Sequence, residues 1–273
     1  VNALRVDAIG DSGQEYGGRA FRDCLAAARA RHVPVILVRK GMRYTTSDGV
    51  AFDALAPEEP LFAEGANDVN ENSVVLRLSY RCAGCMRSFR MLFTGDAGAQ
   101  TEARMIASGT DLQAAVLKVG HHGSAYSSTS AFIVAVHPRY ALISVGRHNS
   151  FGHPAPSTVA QLEAAGVTVY RTDRCGAITV DEQGTQVASM IACGRTRSTP
   201  PVSNAVRTAS RRPQFRVAAA ERRKDFALRS TRQCLEVVAF HRTGEEVALS
   251  FIAPFSRSQA ASCVINPNAT HRA

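Results

Sequence analysis

A chain of 273 residues and 29.2 kDa, 45% apolar and 20% charged, is long and apolar enough to bury the core of one large domain, which excludes global disorder as the default. No apolar run approaches the roughly 18 to 20 residues that span a bilayer. Residues 1–7 also lack a basic stretch leading into an apolar one, so a cytoplasmic chain with neither membrane helix nor signal peptide is expected. With no Trp, 12 Phe and 6 Tyr, aromatics are too sparse for a base-stacking platform to be the first reading. Seven Cys is an odd count in a chain that can fold without staples, and mostly reduced thiols are expected.

The net charge of +9 is unevenly placed. Residues 1–193 carry 18 basic and 18 acidic side chains, whereas residues 194–273 carry 14 and 5. The shift starts at Gly194-Arg195-Thr196-Arg197-Ser198-Thr199-Pro200-Pro201, a linker-like composition. A domain over 1–193 and a basic, largely disordered tail over 194–273 are therefore expected.

In chain order, 5–9 reads as a short strand closed by Gly10-Asp11-Ser12-Gly13, and 19–31 as an Ala-rich helix with Phe21, Leu25 and Ala28 on one face. Residues 33–38 read as a buried strand, with Pro34 near its start where a missing N–H is tolerable. Further strands are expected at 50–55, 73–80 and 88–93, the last two joined by 81–87 as a hairpin. Then follow a helix at 100–108, a strand at 114–119, a helix at 129–136, a strand at 140–145, a helix at 157–165 and a strand at 167–170. A closing hairpin is expected from 177–180 and 186–191. Hairpins at both ends with βα units between them point to a layered α/β sandwich over a purely parallel doubly wound sheet.

Three of these strands end in residues that bind metals. Phe93-Thr94-Gly95-Asp96 delivers a carboxylate, Val119-Gly120-His121-His122-Gly123 delivers two imidazoles, and Phe151-Gly152-His153-Pro154 delivers another. Alone, Gly-Asp after a strand is more often a turn than a ligand, and Gly-His-Pro is weaker still. Asp96 precedes His122 by 26 residues and His122 precedes His153 by 31, each about one βα unit. Equivalent edges of neighbouring strands would bring the three together at one rim of the sheet. Carboxylate with imidazole suits zinc, or manganese or iron with less selectivity.

These segments resemble the metallo-β-lactamase-fold domain of ComEC-type competence proteins and its stand-alone relatives. The resemblance is carried by Thr94-Gly95-Asp96-Ala97, Leu117-Lys118-Val119-Gly120-His121-His122-Gly123-Ser124, Asn149 with Phe151-Gly152-His153-Pro154, Tyr170-Arg171-Thr172-Asp173, and Gly176-Ala177-Ile178. Asp11-Ser12-Gly13 and Asn70-Glu71-Asn72-Ser73-Val74-Val75-Leu76 also sit where that family has similar segments. The resemblance implies an αββα sandwich and a metal-dependent hydrolase of DNA or another phosphodiester. It implies two divalent ions, zinc or manganese, with Asp96 as the bridging carboxylate and His122 (or His121) and His153 as imidazole ligands. Lys118, Arg147 or Arg171 would offset charge on the substrate; the ordinary alternative for each is a solvated cation. In the family the DNA channel is a separate membrane domain, expected in a longer parent protein.

The family's first metal motif, His-x-His-x-Asp-His, has no counterpart here: His32 is the one histidine before Asp96. An N-terminally truncated sandwich, with apolar sheet surface exposed and prone to self-association, is the resulting expectation. The run of nine basic residues within 207–232 either neutralises phosphates of bound nucleic acid or is simply a solvated extension. A small hairpin within 235–252 is expected after it. Cys82-x-x-Cys85 lacks a second pair at zinc-ribbon spacing, and Asn268-Ala269-Thr270 matches a glycosylation sequon by chance. The alternative to a hydrolase is a non-catalytic basic module that binds nucleic acid.

Overall fold

The computed structural model describes residues 6–15, 18–46, 49–63, 65, 67–81, 88–176 and 178–182, together with the strand backbones at 189–193, 215–219, 237–243 and 246–252. The elements run β1 (Ile9–Asp11), α1 (Arg19–Ala30), β2 (Val35–Leu37), β3 (Arg43–Thr45), β4 (Ala51–Ala56), α2 (Asp68–Glu71), β5 (Val75–Tyr80), β6 (Phe89–Phe93), α3 (Ala99–Ala107) and β7 (Val116–Lys118). After a 3-10 turn at Gly120–Gly123 come α4 (Ser130–Val136), β8 (Tyr140–Ile143), α5 (Pro156–Ala164), β9 (Thr168–Arg171), α6 (Thr172–Cys175) and β10 (Ile178–Glu182). The described strands after these are β11 (Ser189–Cys193), β12 (Phe215–Ala219), β13 (Val237–Thr243) and β14 (Glu246–Ile252).

The class is mixed α/β, as the order of elements predicts. Its centre is a seven-stranded sheet in plain sequence order, β3 to β9. The β3–β4, β4–β5 and β5–β6 pairs are antiparallel, and the β6–β7, β7–β8 and β8–β9 pairs are parallel. The parallel half is made by crossover helices, which forces successive strands to end at the same rim.

Alternation within the strands feeds two apolar layers. Leu92, Leu117, Ala141 and Ile143 point to one face, where Met105 of α3, Phe132, Ile133 and Val136 of α4, and Leu162 of α5 cover them. Phe89, Met91, Phe93, Val116 and Leu142 point to the other, against Phe52, Leu78, Ile178 and Val180. Covering both faces is what near-continuous apolar runs such as Met91-Leu92-Phe93 require. The helices over the first face start and stop on local chemistry: Thr129 caps α4 by accepting the Phe132 N–H at 3.3 Å, and Pro156 opens α5.

β10 belongs to a second sheet, ordered β11-β10-β12-β14-β13. The β10–β11 pair is antiparallel, where the closing hairpin is expected, and β13–β14 is an antiparallel pair inside 235–252.

A smaller β1-α1-β2 unit stands apart. Its strands pair in parallel, Ile9 with Val35, over a separate cluster of Ile9, Ala28 and Val33. Here the sequence misleads: 33–38 reads as buried, yet Val35, Ile36 and Leu37 are 40%, 44% and 54% exposed. An apolar run states that a strand wants cover, not that cover is present. The described residues leave these three side chains only partly covered. β1 itself begins at Ile9 and runs through Gly10-Asp11, later than the 5–9 expected. Cys24 and Cys175 each take part in a disulfide, which departs from the mostly reduced state expected of the thiols. Cys82 and Cys85 lie outside the described residues.

Candidate functional site

The parallel register places the ends of β6, β7 and β8 side by side, since Phe93 pairs with Lys118 and Lys118 with Leu142. Asp96 follows β6 through Thr94 and Gly95. Thr94 Oγ1 donates to the Lys118 carbonyl at 2.8 Å, fastening the end of β6 to the end of β7. Gly95, at φ +55°, turns the chain beside Ser73, whose Oγ accepts the Asp96 N–H at 3.1 Å. The Gly95 carbonyl accepts the His121 N–H at 3.0 Å, so the carboxylate turn and the histidine turn are one hydrogen-bonded unit.

His121 and His122 both lie in the left-handed region, at φ +46° and +54°. Two consecutive non-glycine residues there are costly, and such strain is tolerated where the surroundings hold it. Gly123, at φ +82°, completes the turn, and a Cβ on it would stand 2.6 Å from the Pro154 Cβ. Only glycine admits both that φ and that approach. The Gly123 carbonyl accepts the Ala155 N–H at 2.8 Å, so the second and third motifs are locked together.

His122 is 6% exposed, and its Nδ1 lies 2.7 Å from the Ser144 carbonyl beyond β8. A carbonyl only accepts, so Nδ1 carries the proton and the lone pair of the neutral ring is on Nε2. Nε2 is buried, makes no hydrogen bond, and faces the Asp96 Oδ1 at 3.5 Å. A buried lone pair and a buried carboxylate oxygen at that separation are arranged as two donors of one cation would be.

The other two imidazoles form a second pair, with the His121 and His153 rings edge to face at 5.5 Å. Burial, and then the neighbouring His121 and His122, lower the His153 pKa. Lys118 is 2% exposed and its Nζ donates to the Val119 carbonyl at 3.1 Å. Arg171 makes a bidentate pair with Asp173 at 3.0 and 2.7 Å, and Arg147 Nε donates to the Asp173 carbonyl at 3.3 Å.

The rim thus gathers two pairs, Asp96 with His122 and His121 with His153, beyond Lys118 at the end of β7. Among the described residues no set of three or more His, Cys, Asp or Glu closes into a metal-holding group. The donors present fit two positions around a divalent ion, where a structural zinc site needs four and a catalytic one three.

Sequence reasoning passed over the groups that hold this rim. Glu102 on α3 is 1% exposed and accepts the Ser128 and Thr129 N–H groups, anchoring the loop that follows the two histidines. Burial raises its pKa to about 7, with the Glu71 charge adding and those hydrogen bonds opposing. Glu71 in turn accepts the Thr101 N–H at 2.8 Å at the start of α3. The legible signal was a carboxylate three residues before Met105, on the apolar stripe of its helix.

Comparisons with known proteins point the same way as the motifs. The chain is similar to a protein named "Competence protein ComA" from Neisseria gonorrhoeae, 36% identical over 132 residues. It is also similar to one named "ComE operon protein 3" from Bacillus subtilis (strain 168), 32% identical over 154 residues. These matches cover 48% and 56% of the chain and 18% of each relative, so the chain spans about a fifth of the length of the curated relatives it matches. No family model matches the sequence. Among the described residues no helix is long and apolar enough to cross a membrane.

Proposed function

We propose that the chain is part of a DNA-uptake protein of the ComEC type and contributes to a metal-dependent phosphodiester hydrolase of metallo-β-lactamase type. The observation that carries this reading is the buried Asp96–His122 pair, whose imidazole is held by Ser144 with its lone pair turned towards the carboxylate. The competence names of the two relatives support DNA as the phosphodiester. Asp96 and His122 would hold one divalent ion, zinc or manganese, and His121 and His153 would serve a second. Such ions supply Lewis-acid activation of the attacked phosphorus. The protein's own part is to fix the ligand orientations, and Lys118, at the end of β7, would offset charge on the phosphate. In this reading the remaining ligands come from outside the described residues.

Hydrolysis of bis(p-nitrophenyl) phosphate, with zinc or manganese added back after chelation, tests the reading without any nucleobase. Metal-dependent turnover that falls at least a hundredfold in Asp96→Ala and in His122→Ala is expected. Turnover unchanged in both variants, or none in a chain that binds the metal, would contradict it.

The second reading, a non-catalytic basic module that binds nucleic acid, is favoured by the excess of nine positive charges in residues 194–273. In that reading, cutting the chain at Gly194 abolishes nucleic-acid binding, and binding unchanged after the cut would contradict it.

A further inference from the structure

Beside the Asp96–His122 pair, the rings of His121, His153 and Phe151 form a short ladder. His121 meets His153 edge to face at 5.5 Å, and Phe151 stacks on His153 at 6.1 Å with only 17° between the planes. The ladder starts at the site and ends in water, for Phe151 is 54% exposed.

An exposed phenylalanine is ordinary; one on a loop pinned from within is less so. Asn149 supplies the restraint. Its Oδ1 accepts the N–H groups of Phe151 and His153 at 3.2 and 3.0 Å, and its Nδ2 donates to the carbonyls of Gly146 and His153 at 3.1 and 2.7 Å. All of that amide's bonds are spent on the loop that carries the two rings. A ring on a loop already ordered loses less freedom when something stacks on it. Arg147, His148, Ser150 and Gly152 around it are exposed, so its surroundings are polar and basic rather than an apolar protein-docking patch.

We propose that the outer face of Phe151 is a stacking subsite for one unpaired nucleobase, next to the Asp96–His122 pair; this rests on the DNA reading above. A base inside a duplex has both faces covered, so only a single strand or a frayed end offers a free face to a protein ring. The subsite therefore selects unpaired over paired DNA at this rim, by a contact that is indifferent to base identity.

The test is fluorescence anisotropy with the full chain in chelator, so that nothing is cleaved. The probes are labelled oligothymidylate of 12 nucleotides, an abasic oligomer of the same length, and a blunt 12-base-pair duplex. Phe151→Ala is expected to weaken oligothymidylate binding about tenfold, the usual loss for one base–aromatic stack. It should leave the abasic and duplex probes unchanged. Phe151→Trp should restore binding, and Val134→Ala, at an exposed apolar residue of α4, should change nothing. Equal weakening of all three probes, or none, would overturn the subsite while leaving the DNA reading standing. A wild-type chain that binds none of them would overturn both. Loss of self-association in Phe151→Ala, with oligothymidylate binding untouched, would assign the ring to a protein contact and overturn the proposal.

Discussion

The seven-stranded sheet and the β1-α1-β2 unit use similar residues and reach opposite results. In the sheet, Leu92, Leu117 and Ile143 are fully buried beneath α3, α4 and α5. In the smaller unit, Val35, Ile36 and Leu37 form an equally apolar strand that remains half exposed. Among the described residues, polar contacts tie the small unit to the sheet: Asn72 Nδ2 to Gln14 Oε1 at 2.7 Å, Arg39 to Glu59 at 2.6 Å and Lys40 to Glu58 at 2.6 Å. Such exposed ion pairs contribute little each. The site is built on the half that is over-determined, which is what two left-handed histidines in a row require.

That contrast has measurable consequences, the largest in the core. Leu117→Ala is expected to lower unfolding stability by about 2–5 kcal/mol in urea titrations, whereas Ile36→Ala should stay within about 0.5 kcal/mol. Similar losses for the two would erase the distinction between the regions.

Next in size is a pH effect centred on Glu102. Its folded pKa of about 7 lies above the ordinary 4.5, so between those values the folded state holds the proton more tightly than the unfolded one. Stability from this group is therefore full below pH 4.5 and lost as pH rises to about 7, roughly 3 kcal/mol in all. Glu102→Gln should flatten the stability profile between pH 5 and 8 relative to wild type. Parallel profiles would mean that the carboxylate does not titrate there.

Gly123→Ala should cost about 1–3 kcal/mol, because a left-handed backbone and the Pro154 contact must both give way. It should also change the His153 imidazole resonances in NMR spectra; an unperturbed His153 would show that the second and third motifs are not coupled. Smallest in stability is Ile36→Lys, near zero by denaturation, yet it should reduce self-association seen by light scattering. A wild-type chain that is monomeric at high concentration would show that the exposed strand is not an association surface.

Much of this was readable from the residues. Helix limits at 100–108, 129–136 and 157–165 fall within about a residue of α3, α4 and α5, since apolar periodicity, Thr129 and Pro156 mark them locally. The joining of Asp96 to His122 was legible because unit-length spacing in βα repeats puts strand ends at one rim. What escaped depends on the third dimension. β3 is three exposed residues with no apolar pattern of their own. The cover missing from β2 is a property of its neighbours, not of Val35-Ile36-Leu37. Glu102 and Asn149 act through backbone N–H and carbonyl groups, which a list of side chains does not reveal.

The most direct measurement is zinc content by elemental analysis of the purified chain after equilibration with excess ion and gel filtration. The account predicts tightly held zinc that is lost in Asp96→Ala and in His122→Ala and retained in His32→Ala. A wild-type chain that retains no zinc, or variants that retain as much as wild type, would contradict the proposal that Asp96 and His122 are two ligands of one ion.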